Sequence, residues 1–448
     1  MNDISNKKIR GKYIYHIENI EVKGDNPEIL FWLALPVNHK GQEIKINSFK
    51  PHPNEVINDP VNGNKVAFWR LKDLANNESC KFEYNFEILT KDVEHNIDLN
   101  KIEPYNTKSE LFKRYTRSEK WIEITPEISH KAHEIIGDES NPYLKAKKIF
   151  DWIISYMKFE YPDLEHRGAK KSIKNLKGDC GEFSYLFTAL CRAVNIPSRA
   201  ITCNWPTQFG HVWAELLIPP YGWIPVDTSM AQDFNESMRN FTKVKNDNHE
   251  YLFGNLYPNR IIVFIGSNVE LYSKTENINR TFQVMQPGGI LSVPTSIEFN
   301  NITENVVHTG FYLFEDEIEN KDYIQTRIDK ELAHHYYRNG DYLKAEVGLL
   351  AKIKDNPKDS ISLLDLGQIY MKTDKIEKAI ESFKNCISGN SGSLQEVMSV
   401  WAYNLLGKCH QINEDFENAK KYFNIVIDKK VDFQGSLEFA KSSLEEIS

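Results

Sequence analysis

The chain reads as a multidomain α+β protein: an N-terminal β-sandwich, a middle segment where helices give way to strands, and a C-terminal stack of α-helical repeats. Three observations predict this. Polar and apolar residues alternate along Lys81-Phe82-Glu83-Tyr84-Asn85-Phe86-Glu87-Ile88, the period-two mark of a half-buried strand. Phe183, Leu186, Phe187, Leu190 and Val194 recur at helical spacing and are followed by three strand-like runs. Near the end, Gly340-Asp341-Tyr342-Leu343-Lys344-Ala345 returns as Asp374-Lys375-Ile376-Glu377-Lys378-Ala379, 34 positions later. The length agrees, since 448 residues exceed one ordinary core and suggest about three domains.

The first segment, residues 1–104, holds further strand candidates at Tyr13–Ile17 and Ile29–Leu33, separated by breaker clusters such as Asp59-Pro60-Val61-Asn62-Gly63-Asn64. Short strands at this spacing predict an antiparallel sandwich, and no catalytic constellation falls within it. Its expected role is to pack against or position the middle segment. The second segment, residues 105–320, opens with helices. Asn141-Pro142 reads as an N-cap with proline at the first helical position, and Leu144, Ile149, Trp152, Ile153 and Tyr156 share one face. Strands are predicted at 200–203, 211–218 and 223–227, and trailing ones at 281–285 and 311–314. The polar run from 228 to 250 is a candidate cleft wall.

Composition narrows the function classes. Charged residues make up 26% of the chain and the net charge is −8, with no long basic block, which argues against a nucleic-acid partner. No run of 18 apolar residues predicts a membrane span, and the opening MNDISNKKIRGKYIYHIENI lacks a signal-peptide core. The six cysteines are scattered without a CxxC pair, so neither a disulfide scaffold nor a zinc ribbon is expected. No metal or cofactor is predicted, and a reducing, cytoplasmic setting is.

In the third segment, residues 321–448, a third copy of the repeat, Glu414-Asp415-Phe416-Glu417-Asn418-Ala419, comes 40 positions after the second. The longer interval is assigned to the Gly-Asn-Ser-Gly-Ser run at 389–393. Gly367 and Gly407 sit at matching places in the earlier helix of each copy, and an aromatic follows each alanine at Phe383 and Phe423. This period with its small residues resembles tetratricopeptide repeats. The resemblance implies a helical solenoid that binds a peptide or protein partner; bracing a neighbouring domain is the simpler alternative. A last helix is predicted over Leu437–Ile447.

The chemistry concentrates at Gly178-Asp179-Cys180-Gly181-Glu182. Cys180 falls at the first turn of the apolar helix, where unpaired N–H groups and the positive dipole end favour a thiolate, the form that attacks a carbonyl. The same N–H groups can hold an oxyanion. A base is available in Gly210-His211-Val212-Trp213-Ala214-Glu215, with His211 opening a strand. Asp227, closing the strand that contains Trp223-Ile224-Pro225-Val226, can orient the imidazole. Each has a plainer explanation alone: a buried thiol, a surface histidine, a turn-capping aspartate. Their order on consecutive elements favours a shared site.

These motifs, with Leu190-Cys191-Arg192-Ala193, Ile196-Pro197-Ser198-Arg199 and Gly222-Trp223, resemble the transglutaminase-like superfamily of cysteine enzymes. The resemblance implies a papain-like core, a helix packed on an antiparallel sheet, with Cys180 as nucleophile, His211 as base and then acid, and Asp227 as orienting carboxylate. It also implies an aromatic oxyanion donor upstream of the cysteine, for which Tyr161 is the candidate. Trp205 and Trp213 are candidate substrate walls, with core filling an equal alternative. Arg192 and Arg199 occupy positions with a structural role. The implied reaction is acyl transfer at an amide or peptide carbonyl, with protease or amidase activity favoured over an amine-transferring transglutaminase. A non-catalytic protein-binding scaffold is the rival from another class.

Overall fold

Six N-terminal strands, β1 (Asn6–Glu18), β2 (Glu28–Leu35), β3 (Gln42–Lys50), β4 (Glu55–Asn58), β5 (Lys65–Lys72) and β6 (Cys80–Lys91), build the predicted sandwich. Along β6 the side chains switch between buried and half-exposed at almost every residue, as the alternating run requires. The computed structural model describes residues 6–160, 167–205, 210–232, 248–274, 278–283, 293–303, 306–315, 321–391, 395–433 and 435–447. The chain divides into two units, one of residues 1–306 with 310–316 and one of 317–448 with the stretch 307–309.

In the first unit β1, β6 and β3 belong to one sheet and β2, β5 and β4 to the other. Their inner faces close on a single cluster that includes Tyr15, Phe31, Trp69 and Phe82. Aromatic rings dominate it: Phe31 lies 4.6 Å from Phe82 and 5.6 Å from Trp69, centroid to centroid. Large rings at such spacings exclude water over much area with few side chains.

Five helices follow the sandwich: α1 (Glu110–Thr116), α2 (Pro126–Ile136), α3 (Pro142–Tyr156), α4 (Ala169–Asn175) and α5 (Cys180–Ala193). Asn141 caps α3 as its sequence predicts, accepting from the N–H groups of Tyr143 and Leu144. A short parallel pair, β7 (Lys158–Phe159) and β8 (Lys177–Gly178), leads straight into α5. The core sheet then forms from β9 (Ser198–Asn204), β10 (Gly210–Ile218), β11 (Gly222–Val226) and β12 (Ile261–Ile265), antiparallel in the order β11-β10-β9-β12. Helix α5 is buried from Cys180 through Arg192 rather than along one stripe. The sheet covers one side of it, and α2, α3, α4 and the short α6 (Thr228–Gln232) cover the others. A helix enclosed on every side has no solvent face, so its heptad-like stripe marks only part of its core.

Of the polar run 228–250, residues 228–231 are buried in α6, and 233–247 lie outside the described residues. After the hairpin of β13 (Asn268–Ser273) and β14 (Ile278–Gln283), the chain returns to the sandwich. Strand β15 (Thr295–Asn300) pairs with β2, and β16 (Val307–Phe314) joins the edge of β1. Of the trailing strands assigned by sequence to the middle segment, the one at 311–314 falls in β16 and completes an N-terminal sheet, whereas the one at 281–285 overlaps β14 and pairs with β13. Edge strands from a distant part of the chain carry no local sign of the sheet they will join.

Buried amides tie sandwich to core sheet. Gln42 donates from Nε2 to the Ile262 carbonyl and accepts the Ile262 N–H, both at 2.8 Å. Asn64 makes the same two-way exchange with Ile265, again at 2.8 Å. Each amide satisfies a backbone donor and acceptor on β12, so the positioning role expected of the N-terminal segment has a structural basis.

The second unit contains α7 (Lys321–Arg338), α8 (Tyr342–Asp355), α9 (Ser360–Lys372), α10 (Ile376–Ile387), α11 (Gln395–Ile412), α12 (Phe416–Lys429) and α13 (Ser436–Glu446). The repeat alanines, Ala345, Ala379 and Ala419, are fully buried. Helix α11 is 18 residues long against 13 in α9, so much of the longer second interval lengthens a helix instead of a loop. Gly367 faces the Phe383 ring and Gly407 the Phe423 ring; a Cβ on Gly407 would come within 2.5 Å of that ring. Both rings are fully buried and cannot swing away. Gly407→Ala should destabilise the helical unit by about 1–3 kcal/mol through overpacking, read as a lowered denaturation midpoint. An unchanged midpoint would mean that the helices can separate there without loss.

Candidate active site

Helix α5 starts with a complete capping box. Asp179 Oδ1 accepts the Gly181 N–H at 2.8 Å, and the Glu182 carboxylate turns back to the Asp179 N–H. This pins the first turn and places Cys180 at its head, only 5% exposed. Gly178 is required just before it, because a Cβ there would collide with the Glu182 side chain. The Ser184 hydroxyl donates to the Val212 carbonyl at 2.9 Å, so the second turn of α5 is fastened to β10 two residues into the strand.

His211 is buried and shares a 2.7 Å hydrogen bond, Nε2 to Oδ2, with buried Asp227. The Cys180 side chain is hydrogen-bonded to the same imidazole. Asp227 is held from its other side: Oδ1 accepts the Met230 N–H at 3.2 Å and the Ser229 hydroxyl at 3.4 Å. It is both the turn-capping aspartate and the partner of the histidine. One carboxylate oxygen is anchored to the start of α6, which aims the other at the ring.

Burial is the largest influence on His211 and disfavours the imidazolium. The Asp227 carboxylate and the Cys180 sulfur outweigh it together, and the pKa rises to about 10. The arrangement therefore favours a protonated imidazole at neutral pH.

The two tryptophans differ. Trp205 stacks on the His211 ring, 4.5 Å between centroids at 17°, and its indole N–H donates to the Tyr257 hydroxyl at 3.1 Å. It covers one face of the imidazole. Trp213 is fully buried in a cluster with Val37, Ile201, Cys203 and Ile262 and fills core instead of lining a cleft. Strand alternation puts it on the same side of β10 as His211 but cannot reveal that this side is covered two residues on. Tyr161, the candidate oxyanion donor, lies outside the described residues.

Several residues that brace the site are not evident in the sequence. Glu215, on β10, accepts Arg199 through Nε and Nη2 at 2.9 and 2.7 Å and His39 Nε2 at 2.6 Å. The Gly41 N–H donates to His39 Nδ1, which leaves Nε2 to donate. Burial works to raise the Glu215 pKa, yet His39 and Arg199 pull it down to about 2. Arg192 is also structural, bound to Glu119 at 2.9 Å and to the Ser198 carbonyl at 2.8 Å. Arg167, buried, donates from Nη1 to Asp179 Oδ2 at 2.7 Å and to Glu182 Oε2 at 2.9 Å. The Asp-x-x-Glu spacing of 179 and 182 is a capping-box pattern legible in sequence. His39, Arg167 and Tyr257 carry no such local sign.

The raised His211 pKa makes a stability statement. Since it exceeds the ordinary value of 6.5, the contribution is complete below about pH 6.5 and is lost as pH climbs to about 10. Replacing His211 with Asn removes this titration. The gap in melting temperature between wild type and His211→Asn should shift against the wild type steadily from pH 6.5 to 10. A gap that stays level across that window would count against a charged imidazole.

Comparison with known proteins supplies the relationships. Residues 129–228, which contain Cys180, His211 and Asp227, match the family described as the transglutaminase-like superfamily, and residues 361–388 and 402–428 match the tetratricopeptide repeat. An uncharacterized protein of Haemophilus influenzae is 23% identical over 292 residues, covering 57% of this chain and 78% of that protein. A solved structure from Cytophaga hutchinsonii, provisionally named a cysteine protease, is 17% identical and covers 69% of this chain and 93% of its own, with a TM-score of 0.41. The N-terminal domain of stress-induced protein-1 from C. elegans is 16% identical and covers 28% of this chain and 98% of its own, with a TM-score of 0.23. The chain carries a transglutaminase-like core at residues 129–228, and tetratricopeptide repeats follow it between residues 361 and 428.

Proposed function

We propose that this protein is a cysteine enzyme performing acyl transfer at an amide or peptide carbonyl, with water as the usual acceptor, and so a protease or amidase. The observation that carries the reading is the buried, hydrogen-bonded line from Cys180 through His211 to Asp227 at a helix start.

The Cys180 proton resides on His211, and the sulfur attacks the carbonyl carbon. The Cys180 N–H at the head of α5 is the proposed donor to the oxygen as it gains charge, since the Gly181 N–H is held by Asp179. His211 returns the proton to the departing amine while Asp227 holds the ring, and a thioester remains on Cys180. His211 then takes a proton from water, whose hydroxide adds to the thioester and releases the acid and the thiolate. Trp205 screens one face of the imidazole and extends the wall beside it, and Tyr161 is the proposed further oxyanion donor. The helical repeats of residues 321–448 recruit a peptide or protein partner, in line with their repeat type. Six buried cysteines outside any disulfide fit a reducing, cytoplasmic setting. Among the described residues no helix is long and apolar enough to cross a membrane.

Incubation with a peptide library, with and without an added primary amine, and mass analysis of the products tests the reaction. Products lighter by a cleaved amide in both arms support hydrolysis, and products that carry the amine would turn the reading to transglutaminase chemistry. Cys180→Ala should abolish turnover and labelling of that position by iodoacetamide, and His211→Ala should lower turnover about 10²–10⁴-fold. Turnover that survives both substitutions would end the enzyme reading and favour a binding scaffold.

A further inference from the structure

The helix that carries the nucleophile begins with a charge conflict. Asp179 at the N-cap and Glu182 in the first turn flank Cys180, and both are buried to 1% exposure or less. An anion beside a sulfur opposes thiolate formation, and a dry site screens that repulsion poorly. The helix N-terminus alone does not cancel it, because the Gly181 N–H is already taken by Asp179 Oδ1. One guanidinium nitrogen, Arg167 Nη1, bridges the two acids at 2.7 and 2.9 Å in a region from which water is excluded.

We propose that Arg167 is a positioning residue for the thiol chemistry: as counter-charge to the buried Asp179–Glu182 pair, it lets the first turn of α5 hold Cys180 as a thiolate. This rests on the reading of Cys180 as the nucleophile. Burial first, and then Asp179, raises the Glu182 pKa to about 8, with Arg167 opposing them. Among the described residues, the other ionisable groups that face the sulfur are His211 on β10 with Asp227 behind it, Cys203 on β9 and Tyr185 on α5. Burial holds Cys203 and Tyr185 well above their ordinary values, so both are uncharged there. Without Arg167, the cation on His211 would face two demands, the thiolate and the uncompensated Asp179.

The test follows iodoacetamide labelling of the full-length protein against pH and reads only the Cys180 peptide by mass. Arg167→Met should raise the midpoint by about one pH unit, which is about tenfold less thiolate below the midpoint. Asp179→Asn keeps a capping side chain and removes the anion, so it should lower the midpoint. The double variant should return close to wild type. One midpoint shared by all four chains overturns the proposal, as does an upward shift in Asp179→Asn. If Arg167→Met fails to fold, as judged by its melt, the Asp179→Asn shift decides alone. A wild-type Cys180 that labels no faster than in the urea-unfolded chain overturns the nucleophile reading as well, whereas a reactive Cys180 with an unmoving midpoint overturns only the role of Arg167.

Discussion

A carboxylate and an imidazole meet at 2.7 Å in a place almost without water, and the rest of the first unit answers to that pair. A buried ion pair is tolerable when both partners are present and well bonded, and severe when either is missing. His211 and Asp227 therefore have to arrive together, one on β10 and the other just past the end of the neighbouring β11. The thiol comes from the third side, on a helix enclosed by its neighbours and tied to β10 through Ser184. Rigidity is the common feature. Three groups against the imidazole are themselves steadied: Asp227 by the start of α6, Trp205 by Tyr257, and Cys180 by its place in the capped first turn of α5.

Bracing reaches further than the sheet. Glu215 lies four residues along β10 from His211 and is gripped by Arg199 from β9 and by His39 from the sandwich. Gln42 and Asn64 fix β12 in the same manner, with side-chain amides standing in for a missing strand. The sandwich thereby acts on the chemistry without contributing to it, through hydrogen bonds to the backbone and side chains of the sheet that holds the histidine.

How much the residues alone reveal depends on the range of the interactions concerned. Cys180, His211 and Asp227 each stand where a breaker meets an apolar element, and the 34-residue spacing of the repeat alanines is visible without any contact. Caps at Asn141 and Asp179 are local for the same reason. The fates of Trp205 and Trp213 were not legible, because alternation assigns a side chain to a face and says nothing of what covers it. Arg167, His39 and Tyr257 depend on partners 12, 176 and 52 positions away. The homes of β15 and β16 were hidden likewise, since an edge strand has the same pattern in whichever sheet it completes.

That last feature governs how the first unit can be made. The sheet containing β2 gains its edge only from residues 295–300, and the sheet containing β1 only once 307–314 exist. During synthesis from the N-terminus, both sheets wait with one flank open while the whole cysteine-bearing core emerges between them. Pairings so far apart in the chain form late and slowly, and an open flank invites strands from other molecules. The chain therefore has reason to complete its core early: the amides of Gln42 and Asn64 give the waiting sheets something native to hold before their last strands arrive.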